Sequence, residues 1–212
     1  MKKGIIFDVD GTLWDSAKPV AESWTLMLER RYPELARIIT SDDMYRNMGK
    51  TMDAIGADLF PGLAPDKRDE VMDACMRYEN EYLADHPGVT YPNMKETLAA
   101  LSREYGLYIV SNCQEGYIEA LMAACGIASY ISDTECIGAT GRPKGDNIRL
   151  VMERNGLEKC LYVGDTAMDQ EAAGKAGIPF VFASYGFGQA SGADAVIGSL
   201  VELPQAVKEI LE

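Results

Sequence analysis

The chain has 212 residues, 47% of them apolar, enough for one large domain or for a core carrying a small insertion. Its formal net charge of −13 repels nucleic acid and anionic membrane, so neither is an expected partner, and a phosphorylated substrate would need local cationic help. The five cysteines are odd in number and form no CxxC pair, which points to reduced thiols in a cytoplasmic protein; no signal peptide or membrane span is expected.

The first predicted element is the apolar run GIIF at 4–7, a strand whose exit carries Asp8 and Asp10, followed by Gly11 and Thr12. From about Asp15 to His86 the chain offers amphipathic helical stretches and no convincing strand. Within DKRDEVMDACMRYENEYLADHP, Val71, Cys75, Tyr78 and Tyr82 keep a helical spacing, and Pro87 and Gly88 close the segment. This region reads as a helical insertion after the first strand, with Trp14 and Trp24 at its entry and core and the single histidine, His86, in a structural role at its hinge.

Beyond residue 87, short strands are expected at LYIV before Ser111, CLYV before Gly164, FVFA before Ser184, and DAVI ahead of a final helix. Helices fall between them. Asn93 and Glu96 form a capping-box pattern ahead of Met94, Leu98 and Leu101, with Gly106 as the stop. Ile118, Leu121, Met122 and Cys125 run to Gly126, and Ile148, Val151 and Met152 run to Gly156. Strands alternating with helices of this length define an α/β fold with a mostly parallel sheet.

In open α/β sheets ligands bind outside the carboxyl ends of the strands, so the strand exits belong together. They supply Asp8, Asp10 and Thr12; Ser111 and Asn112; and Asp165 and Asp169; Lys144 precedes a helix in TGRPKGDN. Converging carboxylates repel by about 4 kcal/mol for a pair roughly 4 Å apart at an effective dielectric of about 20. A cation is needed among Asp8, Asp10, Asp165 and Asp169, and an all-oxygen set of few protein groups suits Mg²⁺. Lys144 and the hydroxyls of Thr12 and Ser111 would complete a phosphate cradle. One ionised aspartate can attack phosphorus, and a second carboxyl two residues away can protonate the leaving oxygen. An EF-hand also begins DxD, but Thr12 and Leu13 stand where its oxygen ligand and glycine belong.

FDVDGTLWDS resembles the DxDGT first motif of the haloacid dehalogenase (HAD) superfamily; VSN at 110–112, Lys144 and GDTAMD at 164–169 resemble its other three, in order. The helical insertion looks like the C1 cap of the phosphoglycolate phosphatase and β-phosphoglucomutase branch. The resemblance implies a Rossmann-like HAD core at 1–14 and 87–212 and a helical C1 cap at 15–86. It implies that Asp8 is the nucleophile and Asp10 the general acid/base. Mg²⁺ would be held by Asp8, the main-chain carbonyl of Asp10 and Asp165, with Asp169 acting through water or as an orienting group. Ser111, the backbone of Asn112 and Lys144 would bind the phosphoryl group, although RPKGDN departs from the branch's usual pattern and Arg142 competes with Lys144. A cap loop, RNMGKT, offers Arg46 and Lys50 to a substrate carboxylate or distal phosphate, or else is a solvated turn.

The function implied is a Mg²⁺-dependent phosphatase for a small phosphorylated metabolite, working through an aspartyl-phosphate. The alternatives are a β-phosphoglucomutase-like isomerase, which shares Asp8, Asp10 and the cap, and a non-enzymatic phospho-acceptor or binding protein, against which Asp10 and the cap speak.

Overall fold

The computed structural model describes residues 2–35 and 37–212. Strand β1 (Lys3–Phe7) leads through a turn to the two-residue β2 (Trp14–Asp15), and helices α1 (Ala17–Arg31), α2 (Ser41–Tyr45), α3 (Met52–Leu59) and α4 (Pro65–Asp85) follow. The chain returns through β3 (Val89–Thr90), α5 (Met94–Leu101), β4 (Gly106–Ser111), α6 (Tyr117–Cys125), β5 (Ile131–Cys136) and α7 (Ile137–Thr140). It ends with α8 (Lys144–Asn155), β6 (Lys159–Gly164), α9 (Ala167–Ala176), β7 (Phe180–Ala183), β8 (Ala195–Ile197) and α10 (Leu203–Leu211).

Six strands form one parallel sheet in the order β5-β4-β1-β6-β7-β8. Both of its faces are covered, and the strands divide their side chains by alternation. Ile5, Phe7, Leu107, Ile109, Leu161 and Val163 join Leu98 of α5 and Val207 of α10 on one face. On the other, Ile6, Tyr108, Val110 and Tyr162 join Ile148 and Val151 of α8 and Ala172 and Ala173 of α9. The chain fills one side of β1 with β4 and β5, then crosses to β6 on the other side, so the switch point lies at the carboxyl end of β1.

The helices from Ala17 to Asp85 stand over that end. Helix α1 packs on α4 through Trp24, Leu28, Val71 and Cys75, all buried and all continuous with the first apolar face of the sheet. The chain enters and leaves this layer through an antiparallel ribbon in which Trp14 pairs with Thr90 and Asp15 with Val89. No strand was expected at Asp15 or at Val89; two residues per strand leave no alternation to read. Strand β5 was also unexpected: its ISDTEC sequence is polar because it is an edge, where Asp133 and Glu135 accept from Arg154 at 2.8 and 3.0 Å.

The expected capping box at Asn93 does not form. Asn93 adopts the left-handed conformation (φ 60°) in the turn after Pro92, which Asn tolerates, and its side chain makes no cap hydrogen bond. Helix α5 stops at Leu101, and Gly106 begins β4 instead of ending the helix. Capping boxes do form at Thr40–Asp43 and Thr166–Asp169. The latter brings an aspartate to the switch point. The left-handed stops at Gly126 and Gly156 are as expected. His86 caps α4 and stacks on Tyr82 at 4.0 Å, away from the switch point.

Candidate active site

Where β1 ends, the buried carboxylate of Asp8 meets Lys144, at the start of the crossover helix α8, and lies close to Asp165 and Asp169 beyond β6. Lys144, the first residue of α8, reaches Asp8 Oδ1 at 2.9 Å and Asp169 Oδ1 at 2.7 Å, and its ammonium stands 5.8 Å from the centre of the Tyr162 ring. The other oxygen of Asp169 accepts from the Thr166 amide at 3.0 Å, the Thr166 hydroxyl at 2.6 Å and the Asp165 amide at 3.2 Å. Asp169 thereby fixes both the start of α9 and the lysine. Asp165 Oδ2 accepts from the Phe187 amide at 2.8 Å, on the loop after β7.

Asp8, Asp165 and Asp169 each place an oxygen within 4.8 Å of the others. Asp165 Oδ1 and the Thr12 hydroxyl are buried with no hydrogen-bond partner among the described residues. Three carboxylates against one ammonium leave a formal excess of two negative charges, the charge of one divalent cation. The donors are all oxygen, as a hard cation requires. Gly11 is needed for this closeness: its φ is +79°, and a Cβ there would stand 2.1 Å from Asp165 Oδ2.

Burial is the largest influence on both Asp8 and Asp165. It lifts Asp8 to about 7, against the pull of Lys144, with the Asp169 charge adding to the rise. It lifts Asp165 to about 8, helped by the charges of Asp8 and Asp169. Burial also pulls Lys144 down, but Asp169 and Asp8 outweigh it and hold the ammonium well above its usual range.

Asp10 faces elsewhere. Trp14 Nε1 at 3.1 Å, the Ser16 hydroxyl at 2.6 Å and the Tyr117 hydroxyl at 2.7 Å all reach its Oδ1. Burial raises this carboxyl above the usual range while Ser16, Tyr117 and Trp14 oppose the rise. With one oxygen saturated by donors, Oδ2 is left to carry a proton. Two carboxyls two residues apart are thus separated, one held beside Lys144 and two further aspartates and the other in an uncharged hydrogen-bonding nest.

Ser111 closes β4, two residues past the pairing of Phe7 with Ile109, and is buried. The Asn112 side chain donates to the Gly49 carbonyl at 2.9 Å, tying the RNMGKT loop to the core. Gly49 (φ +80°) comes so close to the start of α9 that an added Cβ would lie 3.1 Å from Met168. The loop therefore sits on the rim of the site, but its two cations turn to partners in α2 and in the loop itself. Arg46 bonds Asp43 at 2.5 Å and Lys50 bonds Asn47 Oδ1 at 2.9 Å. Arg142 is exposed and makes no contact with the aspartates, whereas Lys144 lies among them.

The sequence did not single out the groups around Asp10, nor a second buried acid above it. Ser16 and Trp14 stand within the first motif and could have been examined as its partners; Tyr117, 107 residues away, carries no local signal. Glu79, from α4, accepts from Trp24 Nε1 and from Gln114 Nε2, the latter at 3.0 Å. Burial pushes Glu79 from 4.5 up to about 7. The folded state then holds a proton over a range where the unfolded chain has lost it, so this contribution to stability is present below about pH 4.5 and is lost as pH rises through about 7. In Glu79→Gln that decline should be absent: the Tm difference between variant and wild type, followed at saturating Mg²⁺, should move in the variant's favour from about pH 5 to pH 8.

A doubly wound parallel sheet that gathers aspartates and a lysine at its switch point beneath a helical layer defines a class of capped hydrolases. The haloacid dehalogenase-like hydrolase family model matches residues 5–183, and the chain belongs to that family. It is 29% identical to a phosphoglycolate phosphatase of Cupriavidus necator, over 94% of this chain and 90% of that protein. A haloacid dehalogenase-like hydrolase from Bacteroides fragilis superposes with a TM-score of 0.81 at 22% identity, covering 96% of this chain and 100% of its own. A hydrolase of the same family from Streptococcus pneumoniae also gives 0.81, at 20% identity, covering 96% and 97%. These two structures establish the shared fold; the chemistry rests on the site. No helix among the described residues is long and apolar enough to cross a membrane, and all five cysteines are free.

Proposed function

We propose that the chain is a Mg²⁺-dependent phosphatase that cleaves a small phosphorylated metabolite through a phosphoryl-enzyme on Asp8. The observation that carries this reading is the division of labour at the exit of β1: Asp8 lies with Asp165, Asp169 and Lys144, while Asp10 is turned into a nest of three donors. Asp8 and Asp165 would hold the cation, with Asp169 orienting them and the lysine. When bound, Mg²⁺ would neutralise the acidic cluster and draw charge from the substrate's phosphoryl oxygens.

The chain's own groups supply the rest. Asp8 attacks phosphorus with a carboxylate oxygen as the bond from phosphorus to the ester oxygen breaks, and the proton on Asp10 passes to that leaving oxygen. Ionised Asp10 then takes a proton from the water that attacks the phosphoryl group, regenerating Asp8 and releasing inorganic phosphate. Lys144, the Ser111 and Thr12 hydroxyls and the backbone at Asn112 would hold the phosphoryl oxygens. The helices from Ala17 to Asp85 form a cap that excludes bulk water from the ester. The part of the chain running through 15–86 would be a cap domain, and 1–14 with 87–212 the catalytic core.

Steady release of phosphate from p-nitrophenyl phosphate and from a panel of phosphorylated metabolites, stopping when Mg²⁺ is chelated, is the expected result. Conversion of β-glucose 1-phosphate to glucose 6-phosphate without phosphate release would overturn it. Mg²⁺ binding should also release protons. Asp8 at about 7 and Asp165 at about 8 are partly protonated near neutrality, and ligation requires them ionised. Calorimetry in buffers of different ionisation enthalpy should therefore show proton release at about pH 6.5 that vanishes by about pH 9, with affinity rising over the same range.

A further inference from the structure

Above Asp10, a cavity of about 40 Å³ lies between the sheet and the helices over it. Two hydrogen-bonded groups line it, Asp10 with Ser16 and Tyr117, and Glu79 with Trp24 and Gln114. The ester oxygen that Asp10 is proposed to protonate would lie beside the first group, leaving the second to face the rest of the leaving group. That second group is polar and acceptor-rich. Glu79 is 3% exposed and Gln114 6%, and Gln114 Oε1 is buried with no partner among the described residues. The Gln114 amide nitrogen is already committed, to Glu79 at 3.0 Å and to Asn80 at 3.1 Å.

No lysine or arginine lines this cavity. Arg46 and Lys50 are held by Asp43 and Asn47. The wider cleft of about 550 Å³ that shares Gln114 with it is lined by Arg77 together with Asp53, Asp73 and Glu115, and Arg77 Nε donates to the Asp73 carbonyl at 3.2 Å. Within the smaller cavity, a leaving group bearing a carboxylate would meet two carboxyls and an unpaired carbonyl oxygen and no cation. A hydroxyl or ammonium would satisfy the orphaned acceptor. The remaining walls include Met44, Met48 and Met52, side chains that adapt to a small guest.

We propose that Glu79 and Gln114 form a specificity subsite that selects phosphomonoesters whose leaving group carries a hydrogen-bond donor, hydroxyl or ammonium, and rejects those carrying a carboxylate. This rests on the phosphatase reading and separates the chain from relatives that are phosphoglycolate phosphatases. The charge of Glu79 sharpens the discrimination as pH rises, because its carboxyl, lifted by burial to about 7, ionises near neutrality.

The test compares kcat/KM for glycerol 2-phosphate, phosphoethanolamine and phosphoglycolate in wild type, Glu79→Gln and Gln114→Ala. At least one donor-bearing ester should exceed phosphoglycolate by about tenfold or more in wild type, since a buried polar site discriminates strongly against a guest that leaves it unpaired. Preference for glycerol 2-phosphate assigns a hydroxyl, and preference for phosphoethanolamine an ammonium. That ratio should fall at least about fivefold in each variant. Being a ratio within one variant, it is insensitive to a partial loss of folded enzyme, and either variant suffices if the other does not fold. Phosphoglycolate as the best substrate, an unchanged ratio, or turnover of p-nitrophenyl phosphate without turnover of either donor-bearing ester would overturn the subsite. Failure of wild type to hydrolyse p-nitrophenyl phosphate would instead overturn the phosphatase reading.

Discussion

Asp8→Asn should abolish turnover, by about 10⁴-fold or more in kcat, while the protein remains folded. An amide has the carboxylate's shape, and its carbonyl oxygen can still accept from Lys144, which meets Asp8 Oδ1 at 2.9 Å. What it lacks is the charge with which Asp8 is proposed to attack. Removing one of two buried carboxylates that share a single ammonium also relieves repulsion, so the variant's Tm in the absence of Mg²⁺ should equal or exceed that of wild type. Asp10→Asn makes a contrasting pair. Its Oδ1 can still accept from Trp14, Ser16 and Tyr117, but no proton is available for the leaving oxygen, so a smaller loss of about 10²- to 10⁴-fold is expected. Thermal melts with and without Mg²⁺ distinguish the two roles: the Mg²⁺-induced rise in Tm should survive Asp10→Asn and shrink in Asp8→Asn. Equal loss of turnover and of metal-induced stabilisation in both variants would show that the roles are misassigned.

The parts of this site that the sequence disclosed are those whose chemistry is local. Asp8 and Asp10 stand at the end of an apolar run, and Asp165 and Asp169 repeat the device after CLYV; a strand exit followed by polar residues is visible at a glance. Lys144 is separable from Arg142 by its place at a helix start and by the spacing it leaves to Asp165, and it is Lys144 that has buried contacts with Asp8 and Asp169. Features set by long-range packing were not visible. Glu79 looks like any acidic residue on the amphipathic helix α4 until α1 brings Trp24 against it and the loop after β4 brings Gln114. The polarity of β5 hides a strand because an edge needs no apolar alternation, and the β2–β3 ribbon is too short for any period. Asn93 and Glu96 show the opposite failure, a correct spacing overridden by a tight turn that places Asn93 in the left-handed region.

Lys144→Met should be the most destabilising single change at the site, and Mg²⁺ should partly reverse it. The methionine keeps the length of the side chain and can rest on the Tyr162 ring that the ammonium now faces, so packing is preserved and charge is removed. Asp8 and Asp169, 2% and 0% exposed, then lose their one shared cation. Breaking a buried ion pair from one side costs about 3–5 kcal/mol, which for a chain of this size lowers Tm by about 10 °C. The loss should grow with pH. Without the ammonium the folded pKa of Asp8 rises further above its unfolded value, so the folded state retains a proton that the unfolded chain releases, and stability falls as pH climbs through neutrality. The gap between wild type and variant should therefore be smaller at about pH 5 than at about pH 8, and millimolar Mg²⁺ should narrow it at the higher pH by supplying charge where the lysine did. A gap that is constant across this range and indifferent to Mg²⁺ would mean that Lys144 contributes packing alone. The pH dependence of the gap and its response to Mg²⁺ would together show that lysine and metal neutralise the same cluster, the condition that the proposed role of Asp8 as an ionised nucleophile requires in a buried site.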